Sequence, residues 1–454
     1  VKENKYYAFW FTDLSGRWQQ HRFSSDSLGD EVFEQGFHAS SMLTGWRNFG
    51  ESDLLFRPSK ASEFHDAAET EPTRSFFSDV WSDDKTSPYE RDPRAILQRV
   101  VQGAEREGWS FEIGPEVEGY IFDEVRWGVG QTETFCRITE SENIENSRAR
   151  ATEANRGFVL THPSHHLSPT SDYGGPLRNR MVEMMIRSGM KPLHCLHEAG
   201  PSQFEIGIRH DSPVEACDSV QLFKRLARAC GTDVGKIVTF MPMPMPLAFG
   251  PGSGLHINLS MWRNGQNAFY SENGLSAIGT SAVAGVLKHG RALCALSAPT
   301  GNSFARLQHL YRPDRDFSYG FGNRFAHVRV PQVVDGKATR LEVRFSDPSC
   351  NIYLAVAGAI LAAMDGVSSN MNPSAPLEGA PPFGPIDIRN RTANSVPRSL
   401  EDAILSLDAD KAFLQRYEAF TPDALEAYQK ILIRRSNSQG VYPHPRDFLE
   451  VLDC

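Results

Sequence analysis

The chain has 454 residues, 23% charged and 40% hydrophobic, an ordinary globular composition with length enough for two or three domains. A net charge of −9 disfavours nucleic acid or an anionic membrane as the main partner, and no run approaches the roughly 18 apolar residues that span a bilayer. The seven cysteines are scattered without a Cys-x-x-Cys pair and the start lacks a signal-peptide core, so a disulfide framework and a thiolate zinc site are disfavoured and a cytoplasmic enzyme is expected.

Taken in order, Tyr7–Asp13 reads as a strand and Leu14–Arg17 as the turn out of it. Gly36–Met42 and Glu51–Pro58 suggest two further segments around a Gly45-Trp46 turn, while polar residues 59–92 read as a connection. These predict a small, strand-rich N-terminal domain of about 100 residues. Asp92–Arg106 has helical spacing, with Asp92 as cap and Pro93 in the first turn. A strand at Phe111–Phe122, a long polar loop over 139–172 and a helix at Pro176–Gly189 follow. Phe204–Arg209 alternates like a strand and Pro213–Val234 like a long amphipathic helix. Two more helices are predicted near Tyr353–Met364 and Ala412–Arg435, and the alternation of element types points to α/β or α+β.

The candidate chemistry lies on these elements. Glu116 and Glu118 sit two apart on one strand, so both leave the same face, where like charges repel unless a cation lies between them. Glu198 and Glu205 flank a turn-rich segment able to fold them toward one point, and His256 follows three glycines that permit close backbone approach to a ligand. Glu342 and Arg344 share the charged face of another short strand, with Val343 and Phe345 turned inward. An exposed strand face, a satisfied core histidine and a solvated ion pair are the alternatives for each feature alone. Together the carboxylates and one imidazole form the oxygen-rich set preferred by Mg²⁺ or Mn²⁺. Arg306, Arg324, Arg329, Arg340 and Arg344 crowd into the same half, and planar guanidinium groups suit phosphates and carboxylates. Carboxylate-held metal and clustered arginines are the parts of phosphoryl transfer from a nucleotide; no P-loop and no kinase motif set is present.

Gly114-Pro-Glu-Val-Glu118, His197-Glu-Ala-Gly-Pro-Ser-Gln-Phe-Glu205, Gly252-Ser-Gly-Leu-His256, Pro299-Thr-Gly-Asn-Ser-Phe-Ala-Arg306, Asn323-Arg324 and Arg340–Asn351 resemble the successive signatures of the glutamine synthetase family, in order and near the family's spacing. The resemblance implies an α+β fold: a β-grasp domain over 1–105, then a catalytic domain over 106–454 built on a curved antiparallel half-barrel sheet backed by helices. It matches Glu118, Glu198 and Glu205 to the ligands of one divalent ion, and Glu116, His256 and Glu342 to those of a second, Mg²⁺ or Mn²⁺, with two or more ions per site. Arg306 and Arg344 match residues that hold glutamate, with Gly252 lending backbone. Arg324, Arg329 and Arg340 match positions around the ATP phosphates and nucleotide, and Asn258 and Ser260 match nucleotide contacts. The implied reaction phosphorylates the glutamate γ-carboxylate with ATP, after which a nitrogen nucleophile displaces phosphate. The implied assembly is a homo-dodecamer with active sites at subunit interfaces, His38 and Ser41 reaching a neighbour's site; small molecules, not nucleic acid or membrane, are the expected partners.

Two departures bear on the nucleophile. The family's Phe-Asp-Gly-Ser-Ser, whose Asp helps bind ammonium and take its proton, is here Phe37-His38-Ala39-Ser40-Ser41. A mobile-loop Glu that follows a Tyr is replaced, counting without gaps, by Arg312 after Tyr311. Exchanging a carboxylate for Arg shifts local charge by two units, which disfavours a cationic amine by an amount on the order of kcal/mol. A nucleophile neutral near pH 7 needs no such capture, and His38 retains a base. The expectation is therefore an ATP-dependent γ-glutamylamide ligase for a neutral, aromatic amine, similar to γ-glutamylanilide synthases. Phe37, Met42, Trp46, Phe317, Phe321 and Phe325 are candidates for an apolar pocket or for core. Glutamine synthetase itself, a polyamine or alkylamine ligase using Asp314, Asp316 or Glu51, and a catalytically dead structural relative remain the alternatives. Pro251, where many relatives have Asn, lacks an N–H and alters the glutamate contacts there; no Tyr stands near Ile388-Arg389-Asn390 for adenylylation, and Tyr173 is a further substrate-contact candidate.

Overall fold

Tyr7, Phe9 and Phe11 alternate with Ala8 and Trp10 along β1 (Tyr6–Thr12), so one face carries three rings and the other an indole. The computed structural model, which describes residues 4–41, 44–47, 53–82, 86–129, 134–142, 158, 160, 164–245, 250–272, 274–311, 314–380, 388–437 and 451, uses both faces. With β2 (Trp18–Ser24), β3 (Phe37–Ala39), β4 (Leu54–Phe64) and β5 (Thr73–Trp81), β1 makes a five-stranded sheet of order β2-β1-β5-β4-β3. Phe9 meets Phe37 at 5.2 Å and Phe11 meets Phe56 at 4.7 Å between ring centroids on one side, while Trp10 stacks on Trp18 at 4.2 Å on the other. Each such ring, once buried, contributes about 1.5–3 kcal/mol to holding this small sheet together. This is the β-grasp domain.

The helix Pro93–Arg106 couples that sheet to the rest. Asp92 caps it, accepting from the Arg94 N–H at 3.0 Å, while its other oxygen accepts from Val80 of β5 at 3.0 Å. Its buried face (Ile96, Leu97, Val100, Ala104) packs on the helix Ile352–Ser368, which is apolar almost all round and therefore central. Arg94 spans the joint, pairing with Asp79 of β5 and with Asp218 on the helix Pro213–Asp233.

The second sheet runs from β6 (Ser110–Phe122) through the hairpin β7 (Glu124–Val129) and β8 (Thr134–Thr139), which pair only with each other among the described residues, to β9 (Pro192–His197), β10 (Gln203–Ile208), β11 (Ile237–Thr239) and β12 (Leu255–Arg263). It continues with the short β13 (Gln266–Asn267), a separate two-strand piece β14 (Tyr270–Ser271) and β15 (Gly274–Leu275), and then β16 (Tyr319–Phe321), β17 (Val328–Val330) and β18 (Leu341–Val343). The strand order is β16-β17-β18-β12-β6-β10-β9, with β11 on β6 and β13 on β12; only β16 and β17 pair in parallel. The sheet curls into a half barrel. Phe111, Ile113 and Val117, Phe204 and Ile206, Leu255, Ile257 and Leu259 all turn to the helix-covered core. The intervening residues line the opposite face.

Three sequence expectations change. Residues 59–92 are not a connection: β4 continues to Phe64 and β5 is a mid-sheet strand, masked in the sequence by a register shift between Pro58 and Glu63 and by polar outer-face residues. The stretch near Ala412–Arg435 is two elements, a 3₁₀ turn at Ala412–Glu418 and a helix at Pro422–Ser436, broken at Tyr417 with φ +62° and restarted by the Thr421 cap before Pro422. The helices Ala277–Lys288, Gly290–Ser297, Gly301–Leu310 and Leu400–Ala409 were not predicted, the first being rich in small residues that give little amphipathic contrast. No helix among the described residues is long and apolar enough to cross a membrane.

Candidate active site

Strand register assembles the acidic residues. Glu205 of β10 lies opposite Glu118 of β6; one row over, Gly207 lies opposite Glu116 and Glu116 opposite His256 of β12. In the next row Gly114 faces Asn258, Asn258 faces Glu342 of β18, and Glu342 faces Arg329 of β17. Every one of these is a non-core position of its strand, so all project from the same face. Glu198, in the turn after β9, closes the group: Glu118, Glu198 and Glu205 place carboxylate oxygens within 4.8 Å of one another, and a ring nitrogen of His256 lies equally close to oxygens of Glu116 and Glu205.

His256 sits in the middle, buried, with Nδ1 3.3 Å from Glu116 and 3.6 Å from Glu342, and Nε2 3.5 Å from Glu118. Asn258 steadies Glu116 with a 3.0 Å hydrogen bond. Burial pushes the Glu118 and Glu198 carboxyls up, and neighbouring carboxylates (Glu198 for the first, Glu205 for the second) add to it. Glu116 is also penalised by burial, but its hydrogen bond and charge interaction with His256 prevail and hold it low. Burial and Arg344 oppose a proton on His256, yet Glu116, Glu118 and Glu342 together raise it. Five carboxylates around one imidazole are crowded anionic oxygen donors, and divalent Mg²⁺ or Mn²⁺ fits that donor chemistry. Glu342 differs from the rest: Arg329 holds it at 2.6 Å and Arg344 also pairs with it.

The arginines divide by depth. Arg306, 1% exposed, donates to the carbonyls of Ser346 at 3.2 Å and Arg344 at 3.3 Å. The Nε–H groups of Arg306, Arg329 and Arg344 are buried with no partner among the described residues, leaving donor capacity for an anion. Gly252 approaches this group at φ +80°; a Cβ there would fall 2.3 Å from the Pro242 carbonyl and 3.3 Å from Arg306 Cγ, so only glycine fits. Arg340 donates to Asn258 at 2.9 Å and, with Asn258, Ser260, Trp262 and Glu116, lines a cavity of about 430 Å³ that opens beside the acidic face. Arg324 is exposed on the turn between β16 and β17 and makes no ion pair or hydrogen bond among the described residues.

Other expected residues lie apart. His38 is exposed on β3, the edge strand of the N-terminal sheet, and Ser41 is buried just after it. Phe37 and Trp46 belong to the N-terminal core, stacked or tilted on Phe56. Phe317 packs edge-on against Phe345 and beside His327. Phe321 and Phe325 are exposed on either side of Arg324 in the chain. No closed aromatic box forms from these residues. Tyr173 is tied into the framework, its hydroxyl accepting from Lys236 at 3.1 Å. Asp316 accepts from Thr392 and Ser395, and Asp314 is buried. Met42, Glu51 and Arg312 lie outside the described residues.

Two features escaped the sequence reading. His194 of β9 bonds Glu205 at 2.6 Å, and its proton affinity is raised first by that hydrogen bond. Behind Glu198, the buried Glu142 binds His197 at 2.9 Å and accepts from the Tyr173 N–H at 3.0 Å and the Ser202 N–H, fixing the turn that presents Glu198. His197 lies inside a recognised motif; Glu142, within a stretch read as loop, gave no signal.

Comparison with known proteins follows the same division. Residues 3–83 match the family model described as glutamine synthetase, beta-Grasp domain, and residues 90–449 match that of the glutamine synthetase catalytic domain. The glutamine synthetase of Bradyrhizobium diazoefficiens is 30% identical over 461 residues, spanning 99% of this chain and 97% of that protein. The cryo-EM structure of Plasmodium falciparum glutamine synthetase superposes with a TM-score of 0.85 at 22% identity, covering 96% of this chain and 93% of that one. The ligand-free structure of GmaS gives 0.77 at 22% identity, covering 100% and 98%. At that identity the two structures speak to the fold.

Proposed function

This chain belongs to the glutamine synthetase family, as an ATP-dependent glutamate–amine ligase, and we propose that its amine is one that is neutral at pH 7, of the aniline type. The observation that carries this is the exchange of both expected ammonium-binding carboxylates, for His38 and Arg312. Of the acids nearest in sequence, Asp316 is already engaged by the hydroxyls of Thr392 and Ser395. The domains divide near residue 105, and in a homo-dodecamer the exposed edge strand β3 would carry His38 toward a neighbouring subunit's site.

The residues then take these roles. Arg306 and Arg344, with the Gly252 backbone, hold glutamate, so Arg344 leaves Glu342 when substrate and cations enter. ATP lies in the cavity beside Asn258, Ser260 and Arg340, with Arg324 and Arg329 toward the transferred phosphoryl group. Glu118, Glu198 and Glu205 would hold one Mg²⁺ or Mn²⁺, and Glu116, His256 and Glu342 another, and the bound ions would supply neutralisation of charge on the phosphoryl group. The γ-carboxylate takes the phosphoryl group, the amine lone pair attacks the γ-carbon, phosphate leaves, and the nitrogen's surplus proton passes to His38.

Phosphate release with ATP, Mg²⁺ and L-glutamate, compared across ammonium, ethylamine, putrescine and aniline at one pH, tests the reading. Aniline is expected to be fastest, and Arg312→Glu combined with His38→Asp is expected to restore ammonium use. Faster turnover of ammonium or putrescine by the unaltered enzyme would overturn it.

A further inference from the structure

β9 meets β10 with His194 opposite Gly207, and the same row continues through Glu116 to His256. Strands in a sheet lie about 4.8 Å apart, so His194 stands two strands from Glu116 with only a glycine between them. That glycine is a seat. A Cβ on Gly207 would fall 2.3 Å from His194 Cε1 and 2.6 Å from Nδ1, so the imidazole lies directly over the position a side chain would occupy. From there Nε2 reaches Glu205 Oε1 at 2.6 Å. Among the described residues, Glu205 is the carboxylate shared by the Glu118–Glu198 group and the Glu116–His256 group.

We propose that His194 is a positioning residue for divalent cations: its Nε2–H donates to one oxygen of Glu205, turning the other toward the ions shared by the two groups. The inference rests on the reading of these residues as a metal site. A carboxylate can only accept, so the bond fixes the tautomer with the proton on Nε2. It also removes one of the carboxylate's rotational choices before a cation arrives. Partners that orient a metal ligand in this way typically contribute about 10–100-fold in affinity.

The test titrates Mn²⁺ into the full-length protein without nucleotide or amine, reading unbound Mn²⁺ by its EPR signal. The unaltered protein is expected to bind at least two ions. His194→Ala should weaken one or more of them about 10–100-fold. His194→Gln, whose amide N–H can reach the same oxygen, should recover most of the loss. Gly207→Ala, which displaces the ring while leaving its chemistry intact, should resemble His194→Ala. Metal-free melting curves of the two His194 variants should stay close to that of the unaltered protein, which separates positioning from folding; Gly207→Ala, whose clash also costs stability, is read on metal affinity alone. Affinity in His194→Ala within twofold of the unaltered protein overturns the proposal. So does equal loss in the Ala and Gln variants, because the imidazole would then act as a ligand or as packing. An unaltered protein that binds no Mn²⁺ removes the metal reading itself.

Discussion

Gly254 lies between a candidate glutamate-holding residue, Arg306, and a candidate metal ligand, His256. Its φ is not in the left-handed region, so the backbone alone accepts alanine there. Space does not: a Cβ would lie 2.6 Å from Arg306 Nη2 and 2.7 Å from His256 Nε2. Ordinary contact begins near 3.5 Å, so the two side chains must give way by roughly 0.8–0.9 Å between them and the methyl. Neither moves cheaply, since Arg306 is 1% and His256 4% exposed. The backbone is equally committed, because the Gly254 N–H donates to Glu118 at 2.7 Å and its carbonyl accepts from the Glu118 N–H at 3.0 Å. A misplacement of about 1 Å in a positioned group costs on the order of 100-fold, or about 2.7 kcal/mol of transition-state stabilisation. Gly254→Ala is therefore expected to lower kcat/KM for glutamate about 100-fold in a phosphate-release assay, with an overpacking cost in stability of about 1–3 kcal/mol. A folded variant with kcat/KM within about threefold of the unaltered enzyme would refute the placement of Arg306 and His256 in the working site.

Two further perturbations probe the framework. Arg94→Ala leaves Asp79 and Asp218 facing each other at the joint between the sheets, with Asp218 still bonded by Tyr353 at 2.6 Å. Removing one partner of a largely buried ion pair costs about 3–5 kcal/mol, so the urea midpoint followed by circular dichroism should fall, and an unchanged midpoint would refute the assignment. Glu140 is pushed up to about 7 by burial, only partly offset by bonds from Ser202 and the Glu142 N–H, and its Oε1 is buried without a partner among the described residues. The folded protein keeps that proton between roughly pH 4.5 and 7 while the unfolded chain releases it, so stability falls as pH rises through this window, by up to about 3 kcal/mol, and is flat above it. Glu140→Gln should remove that slope from a series of melting curves between pH 5 and 8; an unchanged slope would assign it to other groups.

Much of the site was legible because a strand alternates strictly. Glu116 and Glu118, two apart in sequence, had to share a face once their strand was recognised, and the core residue between them confirms the phase. What alternation lacks is register between strands. Nothing in Leu193-His194-Cys195 says that His194 will stop opposite Gly207, and that pairing alone brings it to Glu205. The buried partners of Glu198 were illegible for a similar reason, because Glu142 reaches His197 across 55 positions of chain. β5 was misread because the register shift between Pro58 and Glu63 and its polar outer-face residues blur its pairing with β4, while its other partner, β1, lies far upstream and leaves no local mark.

The same contrast bears on selectivity. Had Phe37, Trp46 and Phe317 closed around the amine, recognition of an aromatic substrate would have rested on contact. Instead Phe37 and Trp46 hold the N-terminal core and Phe317 packs on Phe345, which leaves the exposed Phe321 and Phe325 as the aromatic surface near Arg324. On the proposed reading, discrimination rests mainly on charge. A unit charge about 6 Å from a cationic amine is worth about 3 kcal/mol at an effective dielectric near 20, and its sign reverses when carboxylate becomes arginine. On that reading, ammonium is disfavoured by about a hundredfold while a neutral amine is untouched. An enzyme built this way rejects the cation more sharply than it chooses among neutral amines, so ring substituents on aniline should alter its rate far less than protonation of the nitrogen does.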